Sequence, residues 1–161
     1  MEVDVCIEDR FVNIVQDGLD AGIRLVEAID RDMVHVRLSG ACRVVVAAAP
    51  SYLDRRGVPQ KPTDLLQHDC ICMRAAGGGP WPWELERGKK TWRVPVRGPL
   101  VTNDHVLRRL LATAGVGLLY TLEPLIAEEI ARGRLRVVLE QFAPDVPGMF
   151  LYIPSLPLVD R

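Results

Sequence analysis

Asp17-Gly18-Leu19-Asp20-Ala21-Gly22-Ile23-Arg24-Leu25 is the stretch on which the reading of this chain turns. Gly18 can take the left-handed backbone that ends a helix, so it closes a short helix over residues 11–17, with Asp9 as its cap and Phe11, Ile14 and Val15 on one side. Residues 21–25 then open an extended run. Upstream, Val3, Val5 and Ile7 alternate with Glu2, Asp4 and Glu8, the period-two pattern of a strand with one face in a core. A strand, a helix stopped by glycine and a second strand make an α/β unit.

The same alternation continues downstream. Residues 34–38 and 42–48 read as strands parted by Ser39-Gly40, and the boundary between two lobes falls there. Pro50 precedes a short helix at 51–56 that stops at Gly57, and Pro62 opens another at 62–67, proline being suited to a helix start. A strand at 70–74 leads into the turn-forming run 75–80. Residues 83–86 and 92–96 then pair as a hairpin around Arg87-Gly88. Asp104 caps an amphipathic helix with Val106, Leu107, Leu110 and Leu111 on its apolar side, ending at Gly115. A strand at 118–122, a helix at 124–132 closed by Gly133, and strands at 135–139 and 149–153 complete the pattern. Strands alternating with helices imply an α/β sheet with right-handed crossovers.

Composition narrows the function. The chain has 161 residues, 48% of them hydrophobic, which suits a globular protein with a core. Twenty Lys and Arg against 21 Asp and Glu give a formal charge of −1, so no overall positive field exists to hold nucleic acid. The basic pairs Arg55-Arg56, Lys89-Lys90 and Arg108-Arg109 are short and scattered, as on a solvated surface. The opening residues lack the charge and apolar core of a secretory signal, and the longest apolar run, 44–49, is only strand-sized. These features suggest a soluble, cytoplasmic protein. Cysteines at 6, 42, 70 and 72 lack C-x-x-C spacing, and Cys70 and Cys72 would share one strand face as buried thiols.

No catalytic set is visible, and the chain reads as a non-enzyme without metal or cofactor. Gly77-Gly78-Gly79 is followed by Pro80 rather than a helix start, so it cannot cradle a phosphate in the usual way. Gly115-Val116-Gly117 leads from helix to strand, the reverse of a dinucleotide fingerprint. His35, His68 and His105 have no partner at metal-ligand spacing. Ser39, Ser51 and Ser155 lie in turn or cap contexts. Glu84 and Glu86 flank a polar hairpin as solvated carboxylates. Trp81, Trp83 and Trp92 lack an adjoining basic groove and suit packing beneath the hairpin.

Two places suit a ligand better. Thr102-Asn103-Asp104 lies where a strand meets a long helix, and its free amides and side chains can receive a small polar group; plain capping by Asp104 explains the same residues. Arg24 could hold a carboxylate bidentately, or could form a structural ion pair with Asp20 or Glu27.

Several pieces in order carry a family resemblance. After the opening stretch come Ala49-Pro50-Ser51-Tyr52-Leu53, Pro62-Thr63-Asp64-Leu65-Leu66-Gln67-His68-Asp69-Cys70-Ile71, Trp83-Glu84-Leu85 and Thr102-Asn103-Asp104. Gly115 to Tyr120 with Glu123-Pro124-Leu125, and Leu151-Tyr152-Ile153-Pro154-Ser155, follow. Together these resemble the effector-binding domain of a LysR-type transcriptional regulator. The resemblance implies a type 2 periplasmic-binding-protein-like fold of two Rossmann-like lobes. Residues 1–41 would form a partial first lobe, and 42–161 the second lobe with the last strand and tail. It also implies a small-molecule effector held between the lobes, with Arg24, Thr102, Asn103 and Asp104 as candidate contacts, and an oligomer whose arrangement the effector biases. The opening motif lies well inside the family's domain, so the chain reads as a fragment with an incomplete first lobe, reaching DNA only through a missing helix-turn-helix. Self-association is expected of it and membrane binding is not. A free-standing solute-binding module of the same fold is the alternative.

Overall fold

The computed structural model describes residues 2–8, 12–25, 33–75 and 77–154. Two compact units emerge: Met1–Ala41 with Val146–Arg161, and Cys42–Asp145. The chain crosses from the first unit to the second at Cys42.

In the first unit β1 (Gly22–Leu25) and β2 (Met33–Arg37) flank β11 (Met149–Pro154), antiparallel on both sides. The last strand thus pairs with the first two, rather than with the elements that precede it along the chain. Side chains alternate across a strand, and the register puts Ile23, Val36 and Leu151 in one row and Arg24, Phe150 and Arg37 in the next. Phe150 and Tyr152 are buried; the Phe150 ring meets His35 edge-on and lies under the Arg37 guanidinium. Gly22 faces the Tyr152 ring so closely that a Cβ there would collide with it.

Before β1 the expected helix over 11–17 shrinks to a turn at residues 14–18. Asn13 Oδ1 accepts the amides of Val15 and Gln16 at 3.1 and 3.2 Å, the Leu19 amide reaches Ile14 O at 2.8 Å, and Gly18 turns out of it at φ 68°. Asp9 and Phe11, the expected cap and first apolar residue, lie outside the described residues. The strand expected at residues 2–8 does not form either. Val3, Val5 and Ile7 are 69, 76 and 86% exposed and belong to no ladder. An alternating pattern becomes a strand only where a neighbour pairs with its backbone.

The second unit is built on a mixed sheet in the order β10 (Asp145–Val146), β3 (Cys42–Ala48), β8 (Leu118–Leu122), β4 (Cys70–Met73), β7 (Leu100–Thr102), with β9 (Arg136–Val138) also on β3. β4 runs parallel to β7 and β8; β3 is antiparallel to β8 and β9. Both faces are covered, which explains the unbroken apolar run of β3. Val46, Ala48, Cys70, Cys72 and Leu118 point to one core, under α1 (Pro50–Arg56) and the hairpin of β5 (Trp83–Arg87) and β6 (Lys90–Val94). Val45, Ala47, Ile71 and Leu119 point to the other, with Ala112 of α2 (His105–Thr113) and Ile126. Cys70 and Cys72 therefore share one buried face, and burial raises the pKa of both thiols, that of Cys70 strongly.

The hairpin turns at Gly88-Lys89, with Arg87 opposite Lys90, one residue beyond the expected centre. Trp83 is buried and stacks on Tyr120 with ring centres 5.4 Å apart, Trp92 meets the Phe142 edge, and Trp81 is exposed. The segment over 62–67 is a 3-10 helix, and 124–132 splits into a 3-10 turn (Glu123–Ile126) and α3 (Ala127–Ala131).

α2 turns three of the four apolar residues expected on its buried side away from the sheet; the fourth, Leu111, is half-buried and packs against the core. Val106, Leu107 and Leu110 are 57, 40 and 57% exposed, while Arg108 and Ala112 are buried. The reason is steric: a residue as small as Ala112 lets the helix lie close against Ile71 and Leu119. The buried Arg108 guanidinium donates from Nη2 to Tyr120 O at 2.7 Å.

Candidate functional site

Thr102, Asn103 and Asp104 come together at the step from β7 into α2, where a parallel strand ends and a helix begins. Asp104 caps the helix: its Oδ1 accepts the Leu107 amide at 2.9 Å, and its carbonyl accepts the Arg108 amide at 3.1 Å. Thr102 Oγ1 accepts the Asp104 amide at 3.2 Å and so holds the capping residue in place. Thr102 is half-buried, while Asn103 and Asp104 are exposed. The capping reading of Asp104 is therefore realised. Its carboxylate takes up one of the amides that a ligand would use and adds negative charge where a bare anion would sit. What remains for a ligand is a hydroxyl, an amide side chain and a carboxylate, a set that can both donate and accept hydrogen bonds.

Arg24 lies in the first unit, on β1 opposite Phe150, half-buried. Of the two ion-pair partners weighed for it, Glu27 falls outside the described residues.

A cleft of about 160 Å³ opens beside the start of α2. Its walls are His105, Val106, Arg108 and Arg109 of α2, Leu119 and Thr121 of β8, and Leu125 and Ile126. Sites for drug-sized ligands run to roughly 300–1,000 Å³, so this one holds only a few heavy atoms. Arg109 pairs with the buried Glu129 at 3.5 Å, and Arg134 approaches the same oxygen at 4.0 Å. The pair Arg108-Arg109, read from sequence as solvated surface, is thus split, with Arg108 carried inward and Arg109 tied to a carboxylate. The signal for this was helical spacing: Arg108 lies four residues before Ala112, on the narrow side that can approach a sheet.

The remaining polar clusters tie elements together. The Arg43 guanidinium forks onto Glu123 at 2.6 and 2.9 Å and reaches Glu140 at 3.1 Å, and this holds the Glu123 carboxyl below its usual pKa. The Tyr52 hydroxyl accepts the Asp69 amide at 3.0 Å and stands 2.9 Å from His68 Nδ1; burial lowers the His68 pKa. Burial pushes the Tyr120 phenol up to about 12 while its hydroxyl donates to Glu84 O at 2.6 Å. Glu84 itself is exposed near Arg93. Among the described residues no group of His, Cys, Asp and Glu is placed to hold a metal ion, and no helix is long and apolar enough to cross a membrane.

Comparison with known proteins adds a family. The model of the LysR substrate binding domain matches residues 1–157. The HTH-type transcriptional regulator YcaN of Escherichia coli K12 is 36% identical over 157 residues, covering 96% of this chain and 50% of its own length. The HTH-type transcriptional regulator PgrR of the same organism is 31% identical over 155 residues, with coverage of 96% and 52%. The chain spans about half the length of these curated relatives. Among solved structures, the regulatory domain of AphB from Vibrio vulnificus, treated with cumene hydroperoxide, superposes with a TM-score of 0.77 at 20% identity, covering 96% of this chain and 76% of that one. That likeness establishes a periplasmic-binding-protein-like fold.

Proposed function

The chain belongs to the family of LysR substrate-binding domains, and from that premise we propose that it is the effector-sensing part of a LysR-type transcriptional regulator acting in the cytoplasm. The observation that carries this reading is the family match over residues 1–157, which runs through both units. The effector is a small molecule. Thr102, Asn103 and Asp104 are its candidate contacts in the second unit and Arg24 in the first. The capping role of Asp104 favours a ligand group that donates hydrogen bonds over a bare anion near α2, while Arg24 suits a carboxylate. An effector of this kind acts by binding one arrangement of the oligomer better than another, since equal affinity shifts nothing. DNA recognition belongs to a helix-turn-helix of the sort named in YcaN and PgrR, and the net charge of −1 is in keeping with a sensor that does not grip DNA itself. The chain associates with itself, and the exposed Val106, Leu107 and Leu110 of α2 offer an apolar stripe for that contact.

A thermal-shift screen of small polar metabolites tests the reading. A ligand at a hundred times its Kd stabilises the folded state by about 2.7 kcal/mol. Asn103→Ala and Arg24→Ala should each weaken that shift, while Asp104→Asn, which keeps the cap, should change ligand preference without unfolding the chain. A shift untouched by all three variants would remove these residues from the site.

A further inference from the structure

The cleft beside the start of α2 lies wholly within the second unit, and none of Thr102, Asn103 and Asp104 lines it. Leu119 and Ile126, buried in the core, form its floor, and the half-exposed Val106 and Leu125 stand at its open side. Thr121 brings a half-buried hydroxyl and Arg109 a guanidinium, and no carboxylate stands among the residues that line the cleft. Voids in a close-packed interior are seldom larger than a water molecule, whereas this space is about 160 Å³. An apolar cavity of about 150 Å³ is enough for a molecule the size of benzene.

Charge selects the head group of a ligand there. The buried Glu129 faces two guanidiniums, Arg109 at 3.5 Å and Arg134 at 4.0 Å, so one carboxylate answers two positive charges. Arg109 meets Glu129 through Nε, and a guanidinium has further N–H donors on its two Nη atoms. The Arg109 side chain is 39% exposed, so a ligand reaches it from solvent.

We propose that this cleft is a second ligand site, separate from the step at Thr102 to Asp104, and that it takes a short-chain monocarboxylate with a compact apolar body. A body of about four or five carbons fits the space and lies against Val106, Leu119, Leu125 and Ile126. The carboxylate pairs with the Nη edge of Arg109 and accepts from the Thr121 hydroxyl. It supplies the second negative charge that Glu129 alone does not. A neutral molecule of the same shape leaves that charge unanswered, and acetate leaves the apolar walls wet, so both parts of the ligand are needed.

Isovalerate titrated into the 161-residue chain, followed by amide chemical shifts, tests the site. A ligand this small binds weakly, with an expected Kd of about 0.1–1 mM. The amides of residues 105–109 and 119–126 should shift and those of β1 and β11 should not. Acetate and isovaleramide should each bind at least tenfold more weakly. Val106→Phe fills the cleft from an exposed position, so the circular dichroism should stay native while the affinity falls at least tenfold. Arg109→Gln should lower it as much; if that variant unfolds, Val106→Phe and the isovaleramide comparison decide. Asn103→Ala should leave the Kd unchanged. No saturation by about 10 mM, ten times the weakest Kd expected, overturns the proposal. So does isovaleramide binding as tightly as isovalerate, or a Kd that Val106→Phe changes by less than twofold. Binding lost with Asn103→Ala and kept with Val106→Phe assigns the ligand to the step at Thr102 to Asp104, and the second site falls.

Discussion

Two substitutions on α2, Leu110→Ala and Ala112→Leu, should weigh in the opposite order from the one hydrophobicity suggests. Leu110 is 57% exposed, so the fold shields a little under half of its side chain. Complete burial of a leucine contributes about 1.5–3 kcal/mol; truncation here should therefore cost about 1 kcal/mol or less, partly offset by the better helix propensity of alanine. Ala112 has no exposed surface and packs against Ile71 and Leu119. Enlarging it to leucine forces the helix off the sheet, an overpacking that costs about 1–3 kcal/mol. Urea unfolding followed by circular dichroism reads the difference, at a chain concentration low enough that self-association adds nothing. With an m-value of about 2 kcal/mol/M, Ala112→Leu should lower the midpoint by roughly 0.5–1.5 M at unchanged m, and Leu110→Ala by less than about 0.5 M. A Leu110→Ala loss of about 2–5 kcal/mol, typical of a core leucine, with Ala112→Leu neutral, would refute the assignment of the helix face.

Other outcomes follow from single contacts. Asp104→Ala should cost about 1 kcal/mol and Asp104→Asn far less, because asparagine caps as well as aspartate; thermal unfolding measures both. Glu123 has a pKa lowered in the folded state by Arg43, so its contribution is present above the unfolded value and lost as pH falls through the folded one. The acid limb of a stability profile should therefore flatten in Glu123→Gln, and an unchanged limb would rule the pair out as an acid-sensitive contact. Of the thiols, exposed Cys6 should react quickly with a disulfide reagent, while Cys70 and Cys72, buried and with raised pKa, should react only on unfolding.

Much of the second unit was legible because its signals are local. Pro50 and Pro62 open helices, Gly57 and Gly133 close them, Asp104 caps α2, and the apolar run of β3 is that of a strand buried on both faces. The candidate site was legible to the same extent: Thr102 to Asp104 form the expected strand-to-helix step, and the cap expected there is made. Arg108 escaped notice because a charged residue reads as solvated. Helical spacing puts it on the side of Ala112, but the Tyr120 carbonyl that accepts from its Nη2 lies twelve positions away on β8.

The sequence by itself determined the α/β class, the order of the helices and longer strands of Cys42–Asp145, the hairpin and the family, since each rests on residue types at short spacing or on motifs in order. Tertiary structure decided the rest. It put β11 between β1 and β2, turned α2 so that Ala112 faces the sheet and Leu110 faces outward, and left Val3, Val5 and Ile7 without a ladder. A strand needs a neighbour's backbone and a helix face needs a surface that fits it, and both are supplied by residues far away in the chain.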